Sequence, residues 1–140
     1  SKKKSKKYKC YVLLGDGECN EGSVWEAAML ANHLKIDNLT AIIDNNGFQQ
    51  TGSNKDILQT NSLSKIWSSF GWETIDVDGH NIPELLNAFN FHSTKPKVII
   101  AKTIKGKGFG FSENNNEWHH KVLTKKQYEI GLQELEKNEF

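Results

Sequence analysis

The sequence predicts an α/β fold with a mainly parallel sheet and flanking helices, on three observations. Apolar runs of strand length alternate with segments of helical periodicity along the whole chain. The strand-like runs, Val98-Ile99-Ile100 above all, are continuously apolar, as parallel strands covered on both faces are. Glycine, aspartate and asparagine cluster where those runs stop. Together they place strands near 10–15, 40–44, 72–77 and 97–103, and helices near 22–35, 61–70, 82–91 and 124–137.

The first strand is the run Cys10-Tyr11-Val12-Leu13-Leu14, stopped by Gly15-Asp16-Gly17. The next helix has the clearest pattern: Ser23-x-x-Glu26 has capping-box form, and Val24, Ala27, Ala28, Ala31 and Leu34 fall on one face. Thr40-Ala41-Ile42-Ile43 is the second strand, and Asn45-Asn46 follows it. Pro83 suits the first turn of the third helix, whose apolar stripe is Leu85, Leu86 and Phe89. Residues 104–120 are glycine-rich and charged, with Asn114-Asn115-Asn116 inside them, and read as a loop. Ser1 to Lys7 hold five lysines in seven residues, a solvated connection rather than a nucleic-acid arm.

Chemistry concentrates at two strand ends. Twenty-seven residues separate Gly17 from Asn45, the span of a single strand–helix–strand unit. Such units are right-handed, and open α/β sheets bind ligands beyond the carboxyl ends of their strands. A carboxylate (Asp16) and an amide oxygen (Asn46) therefore meet on one rim. Hard oxygen donors suit Mg²⁺ or Ca²⁺, and Mg²⁺ commonly bridges protein oxygens to phosphates. Gly15 and Gly17 let the backbone approach a phosphate closely. The pattern reads as a metal-bridged diphosphate site, although Asp-Gly alone is a common turn.

These residues resemble the thiamine diphosphate signature, a GDG followed by NN. The stretches Gly15 to Ala28, Leu34 to Asp44, Lys102 to Gly108 and Trp118-His119 resemble transketolase in particular, in matching order and separation. The resemblance covers nearly the whole chain and is nearest to the split bacterial type. It implies a diphosphate-domain fold, with residues 1–140 forming part of one thiamine diphosphate and metal-binding domain whose upstream strands and helices are missing. It implies Asp16, Asn46 and the Phe48 carbonyl as metal ligands, with Asn45 in the less critical position of its pair. Gly15 and Gly17 would meet the diphosphate, Gly17 through its amide. Glu21 would be a buried carboxylate beside the cofactor and subunit interface, and Gln50 would lie near the cofactor. Lys105 would contact the diphosphate, and His119 both the diphosphate and the sugar, which makes Glu21 and His119 the catalytic candidates. The family's usual glycine after this histidine is here His120, followed by Lys121 and Val122. His80 reads first as a turn residue, and His33 and His92 as ordinary helix residues.

The implied reaction moves a two-carbon ketol unit from a ketose phosphate to an aldose phosphate. The glutamate that activates the aminopyrimidine matches no position in this chain. A pyrimidine-binding domain or partner subunit would supply it, within a dimer or heterotetramer. Two alternatives compete: another thiamine diphosphate enzyme, such as a 2-oxoacid dehydrogenase component or deoxyxylulose phosphate synthase, or a non-catalytic scaffold subunit. The first lacks a reason for Lys105-Gly106-Lys107-Gly108 with Trp118-His119.

Composition sets the outer bounds. With 140 residues, 36% hydrophobic, the chain fits one domain with a real core. Its mean hydropathy of −0.62 and strand-sized apolar runs point away from a membrane and toward the cytoplasm. A net charge of +1 gives no global pull toward nucleic acid. All 18 Lys/Arg positions are lysine, so anion binding must rest on Lys, His, amides and metal. Cys10 and Cys19 lack metal-ligand or disulfide spacing; Cys10 reads as a small buried strand residue.

Overall fold

The computed structural model describes residues 8–137, so the lysine-rich opening lies outside the described residues. Among these, strands β1 (Cys10–Gly15), β2 (Leu39–Asn45), β5 (Glu73–Asp78) and β6 (Lys97–Lys102) form a four-stranded sheet in the order β1-β2-β6-β5. Every pairing is parallel, with Leu14 opposite Ile43 and Ile43 opposite Ile100. The helices are α1 (Gly22–His33), α2 (Asn54–Ile57), α3 (Leu63–Ser69), α4 (Ile82–Asn90) and α5 (Lys125–Lys137). A two-residue hairpin, β3 (Phe48–Gln49) with β4 (Gly52–Ser53), follows β2.

Strand order and handedness fix the layers. The steps β1 to β2 and β2 to β5 run the same way along the sheet, whereas β5 to β6 steps back. Right-handed crossovers then put α1 and α3 on one face and α4 on the other. Packing agrees. Ala28 and Ala31 of α1 bury against Ala41, Ile43, Val98, Ile100, Trp67 and Trp72, which form one cluster. Trp67 packs tilted against Trp25 at 5.3 Å and edge-on against Trp72 at 4.7 Å, and Trp72 Nε1 donates to the Ala28 carbonyl at 2.9 Å. Ile99 points to the opposite face and is fully buried, and Ala88 of α4 is buried as well.

The structure corrects the sequence expectations in five places. The α1 capping box does not form: the N-cap is Glu21, two residues before Ser23, and it makes no side-chain cap. Ala27 and Leu34 are exposed; Ala28 and Ala31 are the buried residues because α1 rests on small side chains that let it approach the sheet. In α4 the buried residue is Ala88, while Leu86 is exposed. His92 lies beyond α4, and Cys10 is only half-buried because β1 is at the edge of the sheet among the described residues. The cap of α4 is Asn81, whose Oδ1 accepts the Glu84 amide at 3.1 Å, with Pro83 in the first turn.

One buried cation also belongs to the scaffold. Lys97, 5% exposed, donates its Nζ to the carbonyls of Ala88 (2.7 Å), Phe89 (3.1 Å) and Phe91 (3.0 Å). It thereby satisfies the free carbonyls at the end of α4, where the helix dipole favours positive charge. Burial, and then Lys9 nearby, holds its pKa below the usual lysine value.

Candidate functional site

The sheet delivers its chemistry to one rim. β1 ends at Gly15 and β2 at Asn45, and Gly15 pairs with Asp44, so the Gly15-Asp16-Gly17 turn and Asn45-Asn46 leave the sheet side by side. The Asp16 amide continues the ladder by donating to the Asp44 carbonyl at 3.1 Å. Between turn, hairpin and the 104–120 loop lies a cleft of about 640 Å³. Gly15, Asp16, Gly17, Glu21, Asn46, Phe48, Gln50, Lys105 and His119 all line it. Every site residue expected from sequence therefore sits on one concave surface.

Asp16 anchors the centre. It is only 2% exposed, and its two oxygens accept amides from opposite sides, Gly17 at 2.8 Å and Gly47 at 2.6 Å. The carboxylate thus ties the β1 turn to the β2 turn. Asn46 Oδ1 accepts the Phe48 amide at 2.9 Å, which shapes the entry to the hairpin. The Gly17 amide, expected on a phosphate, is engaged here by Asp16 itself. Gly17 has a second reason to be glycine: a Cβ there would lie 2.5 Å from the Cβ of Gln49. Only a bare backbone lets the hairpin sit against the turn.

The opposite wall is cationic. Lys105 Nζ lies 3.3 Å from His119 Nδ1. An ammonium only donates, so Nδ1 is the acceptor and the neutral ring carries its proton on Nε2. Partial burial, then Lys105, then His120 lower the His119 pKa below 6.5. His120 stands edge-on to His119 at 4.7 Å. The loop reaches across the cleft, where Asn116 Nδ2 donates to the Gln50 carbonyl at 3.2 Å.

Glu21 and Gln50 both border the cleft and are exposed in this single chain. Gln50 also holds the loop through its carbonyl. Sequence reasoning passed over Gln49, which faces the same cleft; its Oε1 accepts from Asn20 at 3.3 Å, while its Nε2 is buried with no partner. Its nearness to Asn46 in the motif was the available signal. Cys19 is fully buried, and burial, with Asp16 and Glu18 adding to it, pushes its thiol up to about 12. That leaves it an inert core residue.

The donor set discriminates among metals. The described residues contain no cluster of three or more His, Cys, Asp or Glu side chains able to hold an ion. A metal here would rest on one carboxylate plus amide and carbonyl oxygens, an all-oxygen set that fits a hard cation completed by phosphate. The buried, partnerless Nε2 of Gln49, a residue that lines the cleft, is a polar group of the kind a polar ligand satisfies.

The class the fold defines is a parallel α/β domain whose rim cleft has oxygen donors on one side and a Lys–His pair on the other. The chain belongs to the transketolase thiamine diphosphate-binding domain family, which it matches over residues 2–136. It is 45% identical over 137 residues to an apulose-4-phosphate transketolase subunit of Actinobacillus succinogenes, covering 96% of this chain and 50% of that one. Human transketolase is 44% identical over 128 residues, or 91% of this chain and 20% of that one. The crystal structure of transketolase from Campylobacter jejuni superposes with a TM-score of 0.84 at 32% identity, covering 90% of this chain and 20% of that chain. The chain thus spans about half the length of the bacterial apulose-4-phosphate transketolase subunits it matches. No helix among the described residues is long and apolar enough to cross a membrane.

Proposed function

We propose that this chain supplies the metal–diphosphate half of a transketolase-type active site. The observation that carries the reading is the convergence of all nine expected residues on one cleft, with oxygen donors facing a Lys–His pair. In this reading Asp16, Asn46 and the Phe48 carbonyl hold Mg²⁺ or Ca²⁺, and the metal holds the diphosphate. Gly15 and Gly17 allow close backbone approach, with the Gly17 amide exchanging its internal partner for a phosphate oxygen. Lys105 supplies the positive charge that a chain without arginine must find elsewhere. His119, neutral near pH 7 and protonated on Nε2, donates toward the diphosphate and the sugar. Glu21 and Gln50 border the cofactor from the cleft edge, and Glu21 becomes covered when a partner closes over it.

Bound thiamine diphosphate supplies the electron sink for making and breaking the carbon–carbon bond, and the protein's part is to bind and orient it. The activity is transfer of a two-carbon ketol unit between sugar phosphates. It requires a pyrimidine-binding domain or subunit, in a dimer or heterotetramer working in the cytoplasm. The A. succinogenes relative is itself named as one subunit of a transketolase, which supports the need for a partner. The domain is then shared between residues 1–140 and further strands and helices upstream.

Calorimetry on the intact protein tests the site. Wild type should bind thiamine diphosphate only with a divalent cation, and Asp16→Ala should lose that metal-dependent binding. Unchanged affinity in Asp16→Ala would remove the metal-site reading. A sugar-phosphate transfer assay with and without the candidate partner tests the second half, and full turnover without the partner would contradict it.

A further inference from the structure

The loop that carries Lys105 and His119 emerges from β6, and its root is braced from both neighbouring strands. On the β2 side, the Thr103 amide donates to the Asn45 carbonyl at 3.2 Å, and the Thr103 hydroxyl donates to Asp44 Oδ1. On the β5 side stands the turn Asp78-Gly79-His80. The Gly79 amide donates to the Lys102 carbonyl at 2.8 Å. A Cβ on Gly79 would lie 2.5 Å from Thr103 Cγ2 and 3.1 Å from the Lys102 carbonyl, so only glycine permits this approach. Asp78 Oδ1 accepts the His80 amide at 2.9 Å, and Glu84 Oε2 accepts the Asp78 amide at 2.9 Å. The turn is therefore fixed before it meets the loop. His80 then reaches over β6, where its Nε2 accepts the Ile104 amide at 2.8 Å.

Ile104 immediately precedes Lys105. Its amide lies one residue before the side chain that faces the cleft, and β6 has already ended at Lys102. Without the ring nitrogen this amide would have only water as its partner, and the loop root would be held only through its carbonyls, where the Lys107 amide donates to Ile104 at 3.1 Å and the Asn114 amide to Lys105 at 2.9 Å. We propose that His80 is a positioning residue for the Lys105 side chain, acting by pinning the Ile104 amide from outside the cleft. The inference rests on the diphosphate reading of the cleft given above. It makes the Asp-Gly-His turn part of the ligand-binding apparatus, although His80 does not line the cleft.

The geometry fixes the chemistry required. Nε2 must be an unprotonated acceptor, so a neutral ring carries its proton on Nδ1, the opposite tautomer from His119. A glutamine at this position extends its Oε1 about as far as Nε2 and accepts the same bond, whereas leucine fills the space and accepts nothing.

The test uses the intact protein with wild type, His80→Leu, His80→Gln, Lys105→Ala and the His80→Leu/Lys105→Ala pair. Hydrogen exchange at the Ile104 amide, followed by NMR without cofactor, should quicken in His80→Leu and return toward wild type in His80→Gln. Thiamine diphosphate with Mg²⁺ should bind about fivefold more weakly to His80→Leu, the scale of one exposed hydrogen bond, with His80→Gln largely restored. Because His80 acts through Lys105, the double variant should bind no more weakly than Lys105→Ala alone. Additive losses, or equal behaviour of His80→Leu and His80→Gln with unchanged melting temperatures, would overturn the positioning role. Equal Ile104 exchange in wild type and His80→Leu would also overturn it. Wild-type affinity in Lys105→Ala would instead overturn the diphosphate reading, and this inference with it.

Discussion

His119 shows how a single residue takes its properties from neighbours at separate places in the chain. It stands 14 positions after Lys105 in the chain, yet the two side chains meet at 3.3 Å. Burial lowers its pKa first, and the Lys105 and His120 charges lower it further. The sign for stability follows. The unfolded chain takes up the proton first as pH falls through about 6.5. Folding stability therefore declines from there down to the lower folded pKa, and is unaffected above that window. Lys105→Met should move the His119 NMR titration upward, with burial and His120 still holding it below 6.5. A titration unchanged in that variant would refute the pairing. The sequence offered Lys105 and His119 as candidates through motif order, but only folding shows that they face each other.

At the scale of elements, a tryptophan cluster couples α1 and α3 to the sheet. Trp67 is 2% exposed and lies among Trp25, Trp72 and the small residues of α1. Its contacts hold the two helices on the sheet face that leads to the cleft. Trp67→Ala should cost ~3–5 kcal/mol in urea unfolding of the intact protein, the range for deleting a buried large aromatic. A loss below about 1 kcal/mol would mean that the cluster is not the main tie between α3 and the sheet. Most of these elements were legible beforehand, since the expected strands and helices fell close to their observed bounds. The hairpin β3–β4 and the short α2 were not. Two-residue strands and a four-residue helix carry no periodicity, and tertiary contacts hold them in place: Gln49 against Gly17, and the Asn54 amide donating to the Gly47 carbonyl at 2.9 Å.

The whole molecule has one uneven surface. β1 lies at the edge of the sheet among the described residues, and its Tyr11 and Leu13 are 53% and 71% exposed. They point to the face that α4 covers only in part, where Phe89 meets Tyr11 edge-on at 6.0 Å. An apolar edge strand with open backbone groups is a template for pairing with another chain. The 140-residue polypeptide on its own should therefore self-associate in light scattering, and Leu13→Lys should reduce that association. A monodisperse monomer across the micromolar range would show that the edge is protected after all. The same polypeptide should bind thiamine diphosphate more weakly than the intact protein, because a cofactor cleft binds well only when all its walls are pre-formed.

The sequence by itself determined the fold class, the strand and helix positions, and which residues belong to the cleft. The first two follow from local patterns: apolar runs for parallel strands, helical spacing between them, and glycine, aspartate and asparagine where strands end. Of the cleft, those patterns gave Gly15, Asp16, Gly17 and Asn46, and the resemblance to transketolase gave Glu21, Phe48, Gln50, Lys105 and His119. Tertiary structure alone decided the strand order, because pairing β6 between β2 and β5 depends on contacts between residues far apart in the chain. It decided which face of α1 is buried, because close packing against the sheet selected Ala28 and Ala31 over larger neighbours. It decided that Asp16 bridges two turns through the Gly17 and Gly47 amides. It also put His80 on the Ile104 amide, a bond between strand ends that only the sheet makes adjacent.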